Sequence, residues 1–210
     1  MRRKDQFTAP DSISMAQLLD ETEALPRSFF DRPADLLAPD LLSTVIVNGD
    51  SAGMLVETEA YLGLTDLASH AFRGLTERTR IMFGPPGFAY VYFIYGMYEC
   101  LNVVADKPGV PHCVLVRALE PLVGISQMAK RRKWPGPVCG LANGPGKLTL
   151  ALNITRTDYG ADLCAGPLQL RGWKKRPTFA TEVTPRIGIK HNADWPLRYV
   201  WSKHPCLSKR

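Results

Sequence analysis

Residues 88–105 limit most strongly what this chain can fold into. Residues 88–95 read Phe-Ala-Tyr-Val-Tyr-Phe-Ile-Tyr, and residues 98–105 form a second run with strand character. Aromatic and β-branched side chains favour extended strands. The Gly96-Met97 pair between the two runs is typical of a type II′ turn. The sequence therefore predicts a β-hairpin at this place, and with it a fold that contains a sheet.

Shorter patterns complete the predicted fold. We expect further strands at residues 42–47, 54–61 and 113–119, and helices at residues 32–42, 123–133 and 147–153. Residues 63–87 mix Gly, Thr, Arg and Pro, which indicates a long functional loop. These elements predict an α+β fold: a single domain with a curved antiparallel β-sheet core, a protruding β-hairpin and flanking helices.

The length of 210 residues suits one domain. Residues 1–26 are polar and include Pro10 and Pro26, so we predict a flexible N-terminal tail that carries one helix at residues 14–24. The domain itself is placed at residues 27–210.

The net charge agrees with a polyanionic partner without proving one. Lys and Arg number 26 against 20 Asp and Glu, which gives a formal net charge of +6. Many basic proteins bind no nucleic acid, so the charge alone leaves DNA or RNA binding open.

Five widely spaced cysteines and four histidines show no metal-ligand spacing and no C-x-x-C pair. We therefore expect neither a metal site nor a disulfide framework, but reduced and mostly buried thiols. No apolar segment long enough for a signal or a membrane span is present, so the cytoplasm is the expected location and no membrane partner is expected.

The strand predicted at residues 54–61 carries two carboxylates. Side chains alternate between the faces of a strand, which places Leu55, Glu57, Glu59 and Tyr61 on one face. Two interpretations remain open at this point. Both glutamates could lie on a solvated face, or one could serve as a general base beside an aromatic wall.

The tip of the predicted hairpin is unusual for a turn. Turns favour small and polar residues, whereas this one presents Tyr95 and Met97. An exposed aromatic tip is a candidate wedge of the kind that inserts between bases. The ordinary alternative is that Tyr92, Tyr95 and Tyr98 are core aromatic residues with satisfied hydroxyls.

Basic residues that could contact a DNA backbone lie on both sides of the hairpin. Phosphate contacts need no fixed spacing, so a solvated charged surface remains an equal alternative for the run at residues 130–133. The segment 143–147, Asn-Gly-Pro-Gly-Lys, opens a predicted helix and is either an anion-binding turn or a plain tight turn. The candidates for backbone contact are Arg73, Arg78, Arg80 and Lys147.

Three missing motifs exclude common enzyme classes. The chain has no G-x-S-x-G nucleophile elbow, no H-x-E with P-C-x-x-C and no G-x-G-x-x-G fingerprint. Serine hydrolases of the elbow type, zinc-dependent deaminases and Rossmann dehydrogenases are therefore not expected.

Several of these segments together resemble the alkyladenine (3-methyladenine, or N-methylpurine) DNA glycosylase family. They are residues 56–63 (Val-Glu-Thr-Glu-Ala-Tyr-Leu-Gly), 90–98 (Tyr-Val-Tyr-Phe-Ile-Tyr-Gly-Met-Tyr), 114–121 (Val-Leu-Val-Arg-Ala-Leu-Glu-Pro) and 143–148 (Asn-Gly-Pro-Gly-Lys-Leu), with His70, Met82-Phe83 and Asn102 between them. The resemblance runs from about residue 29 to residue 201 with the same motif order.

The resemblance implies roles for particular positions. Glu59 matches the carboxylate that activates water, and Arg117 the arginine that helps to hold it. The residues that would grip or select the flipped base are Tyr61, His70, Tyr92 and Asn102. Tyr95 matches the tyrosine that fills the gap in the stack, with Met97 beside it.

The activity that the resemblance implies is hydrolysis of the N-glycosidic bond of an alkylated or deaminated purine flipped out of duplex DNA. It implies a monofunctional enzyme without lyase activity, without cofactor or metal, that acts as a monomer on double-stranded DNA containing damaged purines. Two alternatives are weighed against it: a non-catalytic protein that binds damaged or distorted DNA, and a helix-hairpin-helix glycosylase, which would need a largely helical chain.

Overall fold

The computed structural model describes residues 11–208, and an antiparallel sheet dominates them. The helices are α1 (Met15–Glu21), α2 (Arg27–Phe30), α3 (Ala34–Leu41), α4 (Ile125–Arg132) and α5 (Pro145–Ala151). The strands are β1 (Thr22–Ala24), β2 (Val45–Asn48), β3 (Ser51–Tyr61), β4 (Ala89–Ile94), β5 (Tyr98–Ala105), β6 (His112–Val123), β7 (Leu168–Trp173), β8 (Thr181–Thr184) and β9 (Arg198–Trp201). The predicted α+β class, with a large antiparallel sheet in a single domain, is confirmed.

Strand β3 is the branching point of the sheet. The main path runs β1-β7-β2-β3-β6-β5-β4. β2 pairs with the first residues of β3, whereas β9 pairs with residues 57–59 of β3 and carries β8 on its other side. The second half of β3 therefore lies between β6 and β9, and it is this half that holds the candidate carboxylates.

The main core fills the space between the sheet and helices α3, α4 and α5. Leu37 and Leu41 of α3, Met128 of α4 and Leu148 of α5 are fully buried. Burial of apolar area of this kind is the main favourable contribution to folding. Helices α3, α4 and α5 thus pack on the side of the sheet that carries the main core.

The alternation predicted along β3 is wrong at Leu55. Leu55 pairs with Leu119, but Glu57 pairs with Ala118, so Val56 is an extra residue in the ladder. The next step skips Arg117 on β6, which restores the register. Matching β-bulges of this kind turn two consecutive residues to the same side.

The paired bulges separate the core residues of β3 from its polar residues. Leu55 and Ala60 belong to the main core, and the Thr58 hydroxyl donates to the Ala38 carbonyl of α3 at 2.8 Å. The residues on the opposite side include Glu57 and Glu59. The carboxylates therefore face away from the helices, although Leu55 does not face with them.

The prediction of a flexible tail is wrong for residues 11–26. Helix α1 begins with a Ser14 capping box, and Leu18 packs against Val45, Val47 and Met54 with no exposed surface. Strand β1 then pairs with β7. The segment is polar on average, but α1 has one apolar face that includes Leu18. Residues 1–10 of the predicted tail lie outside the described residues.

The expectation of reduced thiols is wrong for one pair of cysteines. Cys139 and Cys206 form a disulfide across 67 residues of sequence, which ties the end of the described chain to the segment before α5. Cys100 and Cys113 are free and buried, and Cys164 is free and partly buried. Wide spacing in the sequence did not predict this pair because the two cysteines meet only through the fold.

Two further properties concern the described residues alone. None of the helices between residues 11 and 208 has the length and apolar character needed to cross a membrane. Within the same range, no three His, Cys, Asp or Glu side chains cluster closely enough to hold a metal ion.

Leu18→Ala should test the packing of α1. Leu18 has no exposed surface, so the truncation should lower the free energy of unfolding by about 2–5 kcal/mol, as for other buried leucines. Urea denaturation measures the change. The matched control is Leu19→Ala, because Leu19 is 44% exposed and should cost well under half as much. Equal and small losses would show that α1 is not docked.

Candidate active site

A cavity of about 370 Å³ opens beside the sheet, on the side opposite to the main core. This volume lies within the range of small-molecule sites. Its lining includes six of the residues singled out from the sequence: Tyr61, His70, Tyr92, Tyr95, Asn102 and Arg117. The elements that meet there are β3, β4, β5, β6, the start of α5, and the segments that carry residues 68–70, Met82 and residues 187–189.

Glu59 lies directly behind the cavity wall with no exposed surface. The backbone N–H of Ile187 donates to its Oε1 at 2.7 Å, and the Tyr61 hydroxyl donates to its Oε2 at 3.0 Å. Arg117 Nη1 lies 3.3 Å from the same Oε2. A carboxylate has about four acceptor positions. These contacts occupy three of them and leave a position on Oε1 for a water.

Burial and the charge of Arg117 act on the pKa of Glu59 in opposite directions. Burial raises the pKa of Glu59 above its ordinary value, and the nearby charge of Arg117 offsets that effect only in part. A carboxylate with a raised pKa binds a proton more strongly, which suits a general base.

Glu57 holds Arg117 in place. Glu57 is fully buried, and its Oε1 accepts from Arg117 Nε at 2.9 Å and from Arg198 Nε at 2.7 Å. The backbone N–H of Ser208 donates to its other oxygen at 2.7 Å. Burial would raise the pKa of Glu57, but the hydrogen bonds from Arg198 and Ser208 and the charge of Arg117 outweigh it and lower the pKa.

Three aromatic side chains, His70, Tyr90 and Tyr92, form another part of the cavity wall. His70 Nδ1 lies 2.8 Å from the Tyr90 hydroxyl, and the His70 ring meets Tyr92 edge to face at 4.5 Å between centroids. Arg78 donates through Nε to the Tyr90 oxygen at 3.2 Å and places its guanidinium 5.1 Å above the Tyr92 ring. Burial, aided by Arg78, lowers the pKa of His70 to about 4, so the imidazole is neutral at neutral pH.

Asn102 has both ends of its amide engaged. Its Nδ2 donates to the Tyr90 carbonyl at 3.2 Å, and the Cys113 thiol lies 3.9 Å from its Oδ1. The side chain is nearly fully buried and lines the cavity. The predicted pocket asparagine is therefore a fixed part of the wall, because two neighbours determine its orientation.

The hairpin tip protrudes as predicted, but its turn is of another type. Met97 N–H donates to the Ile94 carbonyl at 3.2 Å, and φ is positive at both Tyr95 (54°) and Gly96 (68°). Positive φ at both central residues is the pattern of a type I′ turn, whereas type II′ needs the glycine first. Tyr95 is 76% exposed and Met97 64%. A tyrosine in the left-handed region is uncommon.

The predicted basic residues fall into different environments. Arg73 and Arg78 line a second depression of about 280 Å³ that shares His70 with the main cavity. Arg80 pairs with Glu77 at 3.3 Å on the exposed surface. Arg78 therefore belongs to the mouth of the cavity, beyond its predicted role as a backbone contact.

Lys147 and the 130–133 run serve the fold in part. Lys147, in the first turn of α5, donates through Nζ to Asn143 Oδ1 at 2.8 Å. Arg131 donates to Asp50 at 2.7 Å, and Arg132 donates to the Leu141 carbonyl at 3.1 Å. Two residues of the run are thus engaged by the domain itself, which the charge pattern did not reveal.

The comparisons with known proteins agree with this arrangement. The family model described as Methylpurine-DNA glycosylase (MPG) matches residues 28–205. This chain belongs to the methylpurine-DNA glycosylase family. The resemblance stated from the sequence motifs is therefore confirmed.

Relatives of this methylpurine-DNA glycosylase match it over almost their whole length. A protein of Methanoculleus marisnigri is 46% identical over 192 residues, which cover 89% of this chain and 99% of the relative. A protein of Alkaliphilus oremlandii is 41% identical, with the same two shares covered. A protein of Myxococcus xanthus is 45% identical over 81% of this chain and 84% of the relative. All three carry the name "Putative 3-methyladenine DNA glycosylase".

Membership of the family establishes the general activity. The methylpurine-DNA glycosylase is a hydrolase that binds DNA and acts on alkylated bases in it. The cavity behind the hairpin is the candidate active site, because it brings the predicted carboxylate, arginine and aromatic residues together.

Four residues of the site were not predicted from the sequence. Tyr90 lies two residues before Tyr92, so strand alternation could have placed it in the same wall. Glu57 lies on the predicted strand, but its ion pairs with Arg117 and Arg198 were not predicted. Arg186 and Ile187 lie in a segment without regular structure, and no motif pointed to their contact with β3.

Glu57→Gln should destabilise the protein strongly at neutral pH. It leaves Arg198 buried without its counter-charge and Arg117 with Glu59 alone, and breaking a buried ion pair typically costs about 3–5 kcal/mol. Because the pKa of Glu57 is lowered by folding, its contribution is present above the ordinary value of 4.5 and is lost as the pH falls through the folded pKa. The difference between variant and wild type should therefore shrink in acid.

Urea denaturation at neutral and acidic pH measures both effects. Asp50→Asn is the control, since its ion pair with Arg131 is half-exposed and should contribute about 0–1 kcal/mol. A loss from Glu57→Gln no larger than that of the control would contradict the role given to this cluster.

Proposed function

We propose that this glycosylase flips a damaged purine out of duplex DNA into the cavity and hydrolyses its N-glycosidic bond with a water activated by Glu59. The observation that carries the proposal is the position of Glu59, buried behind an aromatic cavity with Tyr61, Arg117 and the Ile187 N–H around it. The remaining acceptor position on the carboxylate suits a water between Glu59 and a bound nucleoside.

Extrusion of the base follows from the shape of the site. A base inside a duplex cannot reach a pocket behind a hairpin, so the nucleotide must rotate out of the stack. The gap that it leaves costs a few kcal/mol of stacking. Tyr95 is exposed at the hairpin tip beside the cavity mouth, and insertion of its ring would offset part of that cost.

The cavity is suited to an alkylated purine. Base–aromatic stacking contributes about 1–3 kcal/mol per base, and the lining offers the rings of Tyr61, His70 and Tyr92. Alkylation at a ring nitrogen gives the purine a positive charge, which strengthens its attraction to electron-rich tyrosine faces. His70 is neutral at neutral pH and therefore does not repel such a base.

In the chemical step, Glu59 would accept a proton from the water as that water attacks the anomeric carbon. The bond from this carbon to the purine nitrogen breaks, and the electron pair leaves with the base. The carboxylate also stabilises the oxocarbenium character of the transition state. Arg117 holds Glu59 and stabilises its charged form.

The proposal includes monofunctional action. Among the described residues that line the cavity there is no lysine that could attack the sugar as an amine. Base release without strand cleavage is therefore expected. The proposed substrate is double-stranded DNA that contains damaged purines, and we propose that the protein acts on it as a monomer. We propose a cytoplasmic location, on the nucleoid if the chain is bacterial.

Glu59→Gln should reduce base release by about 10²–10⁴-fold, because loss of a positioned general base has this effect. The amide keeps the size of the side chain, so binding to lesion DNA should persist. Chromatography of bases released from duplexes with 3-methyladenine, 7-methylguanine, hypoxanthine or ethenoadenine measures the rate and ranks the substrates. Glu182→Gln, an exposed change on β8, is the control.

Full activity of Glu59→Gln would remove Glu59 from its role. Lesion binding by the wild type without release of any of the four bases would instead indicate the non-catalytic alternative. A covalent adduct trapped by borohydride in the same reactions would contradict attack by water.

Tyr95→Ser should weaken binding to DNA that contains an abasic-site analogue. The lost stacking corresponds to about 1–3 kcal/mol, or roughly 5- to 150-fold in affinity. Fluorescence titration of a labelled duplex measures it. Tyr95→Phe keeps the ring and should bind like the wild type. If Tyr95→Ser also bound like the wild type, the tip would have no part in filling the gap.

A further inference from the structure

A buried ion pair beside the cavity has no part in the mechanism above. Arg186 and Asp66 have no exposed side-chain surface. The guanidinium donates to both carboxylate oxygens, with Nη2 to Oδ1 at 2.9 Å. Burying such a pair removes both charges from water, and the gain seldom exceeds that cost. The pair is therefore poorly explained by stability alone.

Asp66 fixes the loop that leads to His70. Its Oδ2 accepts from the Leu62 N–H at 3.2 Å, and its Oδ1 accepts from the Ala68 N–H at 3.0 Å. Those two hydrogen bonds bracket the segment between the end of β3 and the residues before His70. The carboxylate thereby sets the course of the chain along one wall of the cavity.

Arg186 holds the end of β3 and also the residues that come directly after Arg186 in the chain. Its Nη1 donates to the Ala60 carbonyl at 3.0 Å, and its guanidinium carbon lies 4.6 Å from the centre of the Tyr61 ring. The next residue, Ile187, donates its N–H to Glu59. One side chain therefore connects three pieces of the site: the ring of Tyr61, the loop held by Asp66 and the donor to the carboxylate.

We propose that Arg186, locked by Asp66, is a positioning residue that holds the Ile187 N–H on Glu59 and the Tyr61 ring in the cavity wall. The inference rests on the proposed role of Glu59 as the base. It assigns Arg186 an effect on catalysis through other residues, without contact with the substrate.

The consequence concerns the protonation of Glu59. The groups that face this carboxylate are Arg117 from β6, Tyr61 and Glu57 from β3, and the Ile187 N–H from the 185–189 segment. The N–H stabilises the charged carboxylate, so its displacement removes a contribution that lowers the pKa of Glu59. Glu59 would then take up its proton at a higher pH, and activity would fall earlier on acidification.

The test uses Arg186→Lys in the full chain. Lysine keeps the positive charge but cannot reproduce the two-pronged contact with Asp66, so a change reports geometry and not net charge. Single-turnover release of bases from methylated duplex DNA is measured across the acidic pH range, with spontaneous release subtracted. A cationic methylated base leaves without prior protonation, so the acidic limb reports the general base.

We expect the acidic limb of Arg186→Lys to lie at higher pH than that of the wild type. We expect its maximal rate to fall by on the order of 10²-fold, the effect of displacing a catalytic group by about 1 Å. Asp66→Asn should shift the limb in the same direction. Arg27→Lys is the matched control, because the Arg27–Asp162 pair is part-exposed and does not line the cavity.

Melting temperatures identify a merely structural role. Loss of stability in Arg186→Lys and Asp66→Asn with an unshifted acidic limb would overturn the inference, as would a shift of equal size in Arg27→Lys. The proposed function fails separately, if Glu59→Gln releases bases at the wild-type rate. If Glu59→Gln releases no bases while the acidic limb of Arg186→Lys is unshifted, the positioning role alone is rejected.

Discussion

The organisation of this protein depends on one buried carboxylate that serves several cations and donors. Glu57 accepts from Arg117 on β6, from Arg198 on β9 and from Ser208 near the chain end. Those three elements approach β3 from different directions, and each brings a donor that is costly to bury alone. Because all of them meet at Glu57, the strand, its two neighbours and the end of the described chain are held in one relative arrangement.

Glu57 and Glu59 show how the fold divides work between two similar groups. They lie two residues apart on the same side of β3, yet folding lowers the pKa of Glu57 and raises that of Glu59. Glu57 receives enough hydrogen bonds to overcome its burial, whereas Glu59 does not. Separation of two carboxylates by environment is a general way to assign one to structure and the other to proton transfer.

The sequence predicted the class of the fold and six of the residues that line the cavity, since both depend on local patterns and on family motifs. Strand runs placed β4 and β5 closely, and the motifs identified Glu59 and Arg117. Three features escaped prediction because they depend on contacts distant in sequence: the docking of α1, the Cys139–Cys206 bond and the ion pair behind Tyr61. The prediction of the turn type was wrong for another reason. A tyrosine rarely adopts positive φ, and nothing in the local sequence indicated that Tyr95 would.

The matched irregularities in β3 and β6 have a consequence for how this site can change. Each strand carries one surplus residue at the same level, Val56 on one side and Arg117 on the other, and the pairing is regular again beyond them. A deletion in one strand alone would shift everything downstream by one position and turn Glu59 toward the helices. The number of residues in β3 at this point must therefore match the number in β6. The spacing between Leu55 and Glu59 determines which way the carboxylate faces, and the site depends on that spacing as well as on the identity of the acid.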